Sequence, residues 1–150
     1  MKSQGSTPED KPWQLDETGP MAAWCDFVLQ RPQGPAMKGK EFLGRKLGLT
    51  GIEVSINAMA PGQSVPFVHA HKQNEELYLF LSGRGQMLLD NEVIDVGPGT
   101  AVRINPTVFR CWRNTGDVPL TCVVVQAKAG SLEQVTVKDG ILGEAPPRWP

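Results

Sequence analysis

From residue 52 onward the chain is written in short segments of alternating polarity. In residues 52–59 (I-E-V-S-I-N-A-M), Ile52, Val54, Ile56 and Ala58 share one face and Glu53, Ser55 and Asn57 the other, the period of two that specifies a strand. Pro61-Gly62 turns the chain. Residues 76–81 (E-L-Y-L-F-L) are apolar on both faces after the first, which predicts a strand covered on both sides. Gly83-Arg84-Gly85 and Asp90-Asn91-Glu92 mark the next turns. Further strands are predicted over 93–96, 100–104, 109–113 and 120–127, separated by Gly97-Pro98-Gly99 and Asn114-Thr115-Gly116-Asp117, with a last one over 133–137. Strands at this spacing, with Gly and Pro turns and almost no helical periodicity, specify an all-β sandwich or barrel.

Ahead of these strands the pattern breaks. Pro8, Pro12, Gly19, Pro20, Pro32, Gly34 and Pro35 punctuate the chain around a single apolar island at 21–29. Residues 1–40 therefore read as an N-terminal arm, 41–128 as the barrel, and 129–150 as a C-terminal strand and tail. Trp13 and Trp24 would be costly to leave in water, so the arm is expected to dock on the core or on a second subunit.

Composition narrows the partners. Fifteen Lys and Arg against sixteen Asp and Glu in 150 residues, with no basic block, leave neither the footprint of a nucleic-acid binder nor that of a polybasic membrane-surface module. The 40% hydrophobic content supports one core, and 16 Gly with 13 Pro agree with many turns. The N-terminus, with Glu9, Asp10, Asp16 and Glu17, has neither a secretory h-region nor the acid-poor composition of a transit peptide, and no apolar run approaches a membrane span. Cys25, Cys111 and Cys122 are odd in number and form no C-x-x-C pair, which argues against a disulfide framework and for a cytoplasmic protein. Cys111 and Cys122 read as small buried hydrophobes in apolar segments.

Candidate chemistry centres on the two histidines, His69 and His71. On an extended segment H-x-H puts both imidazoles on one face, and Glu76 begins the next strand where it can fold back across them. Two imidazoles and a carboxylate make a facial set for a divalent transition metal, with positions left open for water, substrate or dioxygen. Glu75 points the other way. Gly83-Arg84-Gly85 lacks a following helix and is no phosphate cradle.

These residues resemble the cupins, single-domain double-stranded β-helix (jelly-roll) proteins with two short signatures. The first, Gly, H-x-H, Glu and Gly, is matched by Gly62, His69, His71, Glu76 and Gly83, with the gap from Gly62 to His69 one residue longer than usual. The second runs from Gly99 to Asn114 with its spacing intact, but Asn105 stands at the Pro position, Thr107 at the Gly position and Arg110 at the His position. The resemblance covers residues 42–128 and implies a cupin barrel with an N-terminal arm and a short C-terminal extension. For function it is broad, because cupins include dioxygenases, isomerases, epimerases, sugar-binding regulators and storage proteins.

If residues 109–113 keep the family's orientation, Arg110 and Trp112 face the interior alongside Glu76, Tyr78 and Phe80. Arginine cannot ligate a metal, and a guanidinium within about 5 Å of a divalent ion costs several kcal/mol even at an effective dielectric of about 20. Two outcomes relieve this. An anionic ligand can bridge the fork of Arg110 and a metal (Fe, Zn, Mn or Ni) on His69, His71 and Glu76, with Tyr78, Phe80 and Trp112 as apolar walls and dioxygen chemistry or Lewis-acid isomerisation open to the site. Alternatively no metal binds, Arg110 pairs with Glu76, and the pocket is a small-molecule-binding or sensing module without catalysis. Asn114 and Gly99 read as structural turn residues, and Arg103 and Arg113 as surface charges. The resemblance further implies a homodimer, with Trp24 and Trp149 as candidate interface residues.

Overall fold

The computed structural model describes residues 12–150, so the opening of the arm, with Pro8, Glu9 and Asp10, lies outside the described residues. Strands β3 (Lys40–Phe42), β4 (Glu53–Met59), β5 (Asn74–Ser82), β8 (Ala101–Ile104) and β10 (Leu120–Lys128) form a five-stranded sheet in the order β3-β4-β10-β5-β8. Strands β6 (Gly85–Leu89), β7 (Glu92–Val96) and β9 (Arg110–Asn114) form a second sheet in the order β7-β6-β9. A hairpin of β1 (Val28–Leu29) and β2 (Met37–Lys38) precedes them, and one helical turn, α1 (Gly44–Leu47), links β3 to β4. Every pairing is antiparallel. A shared core joins the two sheets: Tyr78 and Phe80 from β5, Met87 from β6, Val96 from β7, Ile104 from β8, and Leu120, Cys122 and Val124 from β10. This is the all-β architecture that the strand pattern specifies, arranged as the jelly roll that the resemblance implies. No helix among the described residues is long and apolar enough to cross a membrane.

The period of two sorts β5 into a buried row, Glu76, Tyr78 and Phe80, and an outer row in which Leu77 and Leu79 are exposed. Cover on both sides, as the unbroken apolar run suggested, is therefore not achieved among the described residues. The cluster around Trp24 on the outer face takes in Leu81 and Val123.

Strand β4 alternates as read, but its polar face is the inner one. Ser55 and Asn57 are buried, and Asn57 lines the interior cavity. The apolar face, Ile56 and Ala58, points outward and is covered by a 3₁₀ helix, Met21–Asp26, whose Trp24 is buried against both residues with Cys25, Phe27 and Leu43 around it. Trp24 Nε1 donates to the Gly19 carbonyl at 3.3 Å, satisfying the polar end of the ring. Trp24 thus docks on its own chain and is not available as an interface residue, whereas Trp149 is 86% exposed.

Two further differences concern the ends. The arm does not stop short of the barrel, because Lys40 already belongs to β3 and pairs with Asn57. Gly39 makes this possible: its φ of 71° is left-handed, and a Cβ there would collide with the Ala58 carbonyl. At the other end, residues 133–137 form no strand. Thr136 adopts a left-handed φ of 60°, which breaks the extended geometry, and Val137, Ile141 and Leu142 are left exposed. Asn114 does have the structural role read for it. Its Nδ2 donates to the Met59 and Val118 carbonyls, both at 2.8 Å, and its Oδ1 accepts from Gly116 N at 2.8 Å.

Docking of the arm through Trp24 predicts that Trp24→Ala lowers unfolding stability by about 3–5 kcal/mol in urea denaturation. Trp149→Ala should change it by less than about 0.5 kcal/mol. Equal, small effects would contradict the docked arm.

Candidate functional site

The two histidines lie on an irregular strand that runs antiparallel along β9. Asn114 N donates to Gln63 O at 2.9 Å, Val65 N to Trp112 O at 3.0 Å, His69 N to Arg110 O at 3.2 Å, and Arg110 N returns to His69 O at 2.9 Å. A last bond, from Thr107 N to His71 O at 2.8 Å, pins the end of the segment. The backbone is thereby held extended and both imidazoles face the interior, T-shaped with ring centroids 5.4 Å apart. Strand β5 brings Glu76 across, with Oε1 3.0 Å from His71 Nε2. One donor atom from each of His69, His71 and Glu76 lies within 4.8 Å of the others, a group that could hold a metal ion. Glu75 faces away and pairs with Arg103 at 2.8 Å.

Arg110 is fully buried beside this group. Its Nε lies 3.1 Å from Glu76 Oε2, and its Nη1 donates to the Val108 carbonyl at 2.8 Å and the His69 carbonyl at 3.3 Å. Arg110 is inward-facing, as the strand register implied, but it does not reach the cavity wall, and neither does Phe80. The reason is positional. The guanidinium is engaged by Glu76 and two carbonyls, while Phe80, with no exposure, sits in the apolar core beside Trp112, their centroids 6.2 Å apart. Tyr78 and Trp112 do line the cavity.

Among the described residues, five buried side-chain atoms make no hydrogen bond, and four of them are here: His69 Nδ1, Glu76 Oε2, Arg110 Nε and Arg110 Nη2. Arg110 Nε and Glu76 Oε2 nevertheless face each other as an ion pair at 3.1 Å, whereas His69 Nδ1 and Arg110 Nη2 have no partner, and each such atom costs about 1–3 kcal/mol. His69 Nδ1 and Glu76 Oε2 are the atom types that accept a cation, so the donor set fits a metal. Burial, and after it the charge of Arg110, pushes the pKa of His69 down, favouring the neutral imidazole that ligation requires. Burial and the Glu76 charge push Tyr78 above its ordinary range, so its hydroxyl stays protonated. Cys122, pushed up to about 12 by burial, is an unreactive core residue.

His69, His71 and Glu76 open on a cavity of about 460 Å³. Its walls include a residue that the sequence reading did not single out, Lys40. The Lys40 Nζ donates to Asn57 Oδ1 at 2.8 Å and Ser55 Oγ at 3.2 Å, and lies 4.8 Å from the centroid of the Phe42 ring. A three-residue strand is too short to show a period, and Lys40 fell on the arm side of the predicted boundary. The available signal was the polar face of β4, which needed an inner partner once it was known to face inward. Arg31 and Lys38 also line the cavity, so three cations share it with one carboxylate, Glu76, which Arg110 already balances. Arg31 stacks over the Phe67 ring at 5.4 Å, closing the hairpin against the histidine segment.

Comparison with known proteins agrees with this architecture. The family model of the cupin domain matches residues 56–126. A cupin protein from Bacteroides fragilis, known from its crystal structure, is 42% identical with a TM-score of 0.67, over 75% of this chain and 96% of that one. An uncharacterised protein of Methanocaldococcus jannaschii is 39% identical over 71 residues, 47% of this chain and 57% of that one, so the match spans little more than half of that relative. The structure of a candidate sugar phosphate isomerase from Acidithiobacillus ferrooxidans is 26% identical with a TM-score of 0.54, over 59% of this chain and 58% of that one. The chain belongs to the cupin family.

One departure from the second cupin signature is visible in the backbone. Thr107, at the glycine position, has a φ of 72°. The left-handed turn is kept although a β-branched residue now occupies it, at a cost of roughly 1–2 kcal/mol. Thr107→Gly is therefore expected to raise the urea midpoint, by about 1 kcal/mol of stability or less once the entropy of glycine is set against it. A loss of stability would contradict the strained turn.

Proposed function

We propose that this cupin holds one divalent transition metal on His69, His71 and Glu76 and acts on a small organic anion in the adjoining cavity. The observation that carries the reading is the three donors within 4.8 Å on the cavity side, with His69 Nδ1 buried and without a hydrogen-bond partner among the described residues. Iron, zinc, manganese and nickel are the ions that a mixed imidazole and carboxylate set takes, and three protein ligands leave positions open. When bound, such an ion supplies Lewis acidity toward a ligand oxygen. The chain's own residues prepare that ligand. Arg110 fixes Glu76 and offsets its charge, Tyr78 offers a protonated hydroxyl, Trp112 gives an apolar wall, and the excess of cations around the cavity favours an anion.

Of the two chemistries the site admits, isomerisation of a phosphorylated small molecule is supported by likeness to the Acidithiobacillus ferrooxidans protein, whose name carries that activity. A second reading, a metal-free binding module, is favoured by a different observation: Glu76 already has His71 at 3.0 Å and Arg110 at 3.1 Å. Elemental analysis of protein purified without a histidine tag separates the two. After reconstitution with Fe(II), Zn(II), Mn(II) or Ni(II), one ion per chain is expected in the wild type and a small fraction of that in His69→Ala. Metal far below stoichiometry in the wild type under all four conditions sinks the metal reading and leaves the binding module.

A further inference from the structure

We propose that Lys40 forms a second subsite in the cavity, one that takes the carboxylate or phosphate group of a bifunctional small anion whose other oxygens face His69, His71 and Glu76. This rests on the reading of the cavity as a ligand pocket, and not on the presence of the metal.

The subsite is built by the backbone before any ligand arrives. Gly39 is tied on both sides, its N donating to Phe27 O and its O accepting from Ala58 N, each at 2.7 Å, so the position of Lys40 on the edge strand is fixed. Its register partner is Asn57, and the side chains of both line the cavity. An ammonium group has three N–H donors. Two are directed at Asn57 Oδ1 and Ser55 Oγ, acceptors on buried residues, and the third has no oxygen partner among the described residues, only the ring of Phe42, another wall residue, 4.8 Å from Nζ. Asn57 is itself held, its Nδ2 donating to the Ser55 carbonyl at 3.2 Å and to Ser55 Oγ at 3.1 Å. The donor therefore stands on a network already in place, which spares a ligand the entropy of ordering a long side chain.

What Lys40 lacks is a counter-charge. None of the ion pairs among the described residues includes it, and the cavity's one carboxylate is engaged by Arg110. Burial pushes its pKa below the ordinary lysine range, and the negative charge of Glu76 opposes that shift. Lys40 lines the same cavity as His69, His71 and Glu76, so the lysine and the donor triad act on one space. An anionic group at Nζ would supply the missing charge, and Arg31 and Lys38, at the same cavity, add attraction of the same sign.

Isothermal titration of the purified full chain with inorganic phosphate and with malonate tests the subsite, with the metal content of each sample measured separately. Lys40→Met is expected to weaken binding by about tenfold or more, the loss of one charge-assisted hydrogen bond. It should leave metal content unchanged, because Lys40 is not a ligand. Absence of anion binding in the wild type, or equal affinity in Lys40→Met, overturns the proposal; absence of metal with Lys40-dependent anion binding overturns the metal reading alone. Should the variant fail to fold, the unmutated protein gives the answer. Phosphate is expected to slow acetylation of Lys40 by acetic anhydride, read by peptide mass spectrometry, while the more exposed Lys46 reacts at its former rate. Undiminished labelling of Lys40 overturns the subsite.

Discussion

A permanent cation without solvent is the constraint around which this site is arranged. Arg110 cannot lose its proton, and with no exposure it must find negative charge and carbonyl oxygen inside the protein. Glu76 supplies the charge, and Val108 and His69 supply the carbonyls. The same backbone pairing that gives Arg110 the His69 carbonyl also holds the histidine segment against β9. Arg110 therefore acts on the donor triad from behind: it orients Glu76, fixes the strand that carries His69, and lowers the proton affinity of His69. Removing one partner of such a buried pair typically costs about 3–5 kcal/mol, because the other charge is stranded.

Charge is consequently divided over two layers. At the back of the triad, Arg110 cancels the charge of its one carboxylate, Glu76. Around the cavity, Arg31, Lys38 and Lys40 have no such balance, and Lys40 is the one anchored to the inner face of the sheet. An arginine in place of a histidine thus removes a ligand position without making the pocket's recognition depend on that arginine. In the proposed reading, recognition passes to Lys40, which precedes residues 56–126 that the cupin family model matches.

Much of the barrel was legible because its strands are long enough to show a period and its turns carry Gly, Pro, Asn or Asp. The triad was legible because H-x-H followed by Glu is a local pattern that β geometry converts directly into proximity. Three things were not legible, each for a physical reason. Alternation in β4 marks two faces but does not say which is inside, and here the polar face is, because Trp24 covers the apolar one. The inward turn of Arg110 follows from register, but whether a guanidinium reaches the cavity depends on what it bonds to on the way, and that is tertiary. Lys40 belongs to a three-residue strand placed by Gly39, and no window on so short a segment distinguishes an inward lysine from an outward one.

The central claim is that His69, His71 and Glu76 form one coordination sphere, with Arg110 behind it offsetting the charge of Glu76. X-ray absorption at the zinc edge of the reconstituted protein measures this directly. It should show two imidazole nitrogens and one carboxylate oxygen at about 2.0–2.2 Å, with the remaining sphere filled by water or an added anion. A spectrum without imidazole scattering, or with one imidazole only, would contradict it.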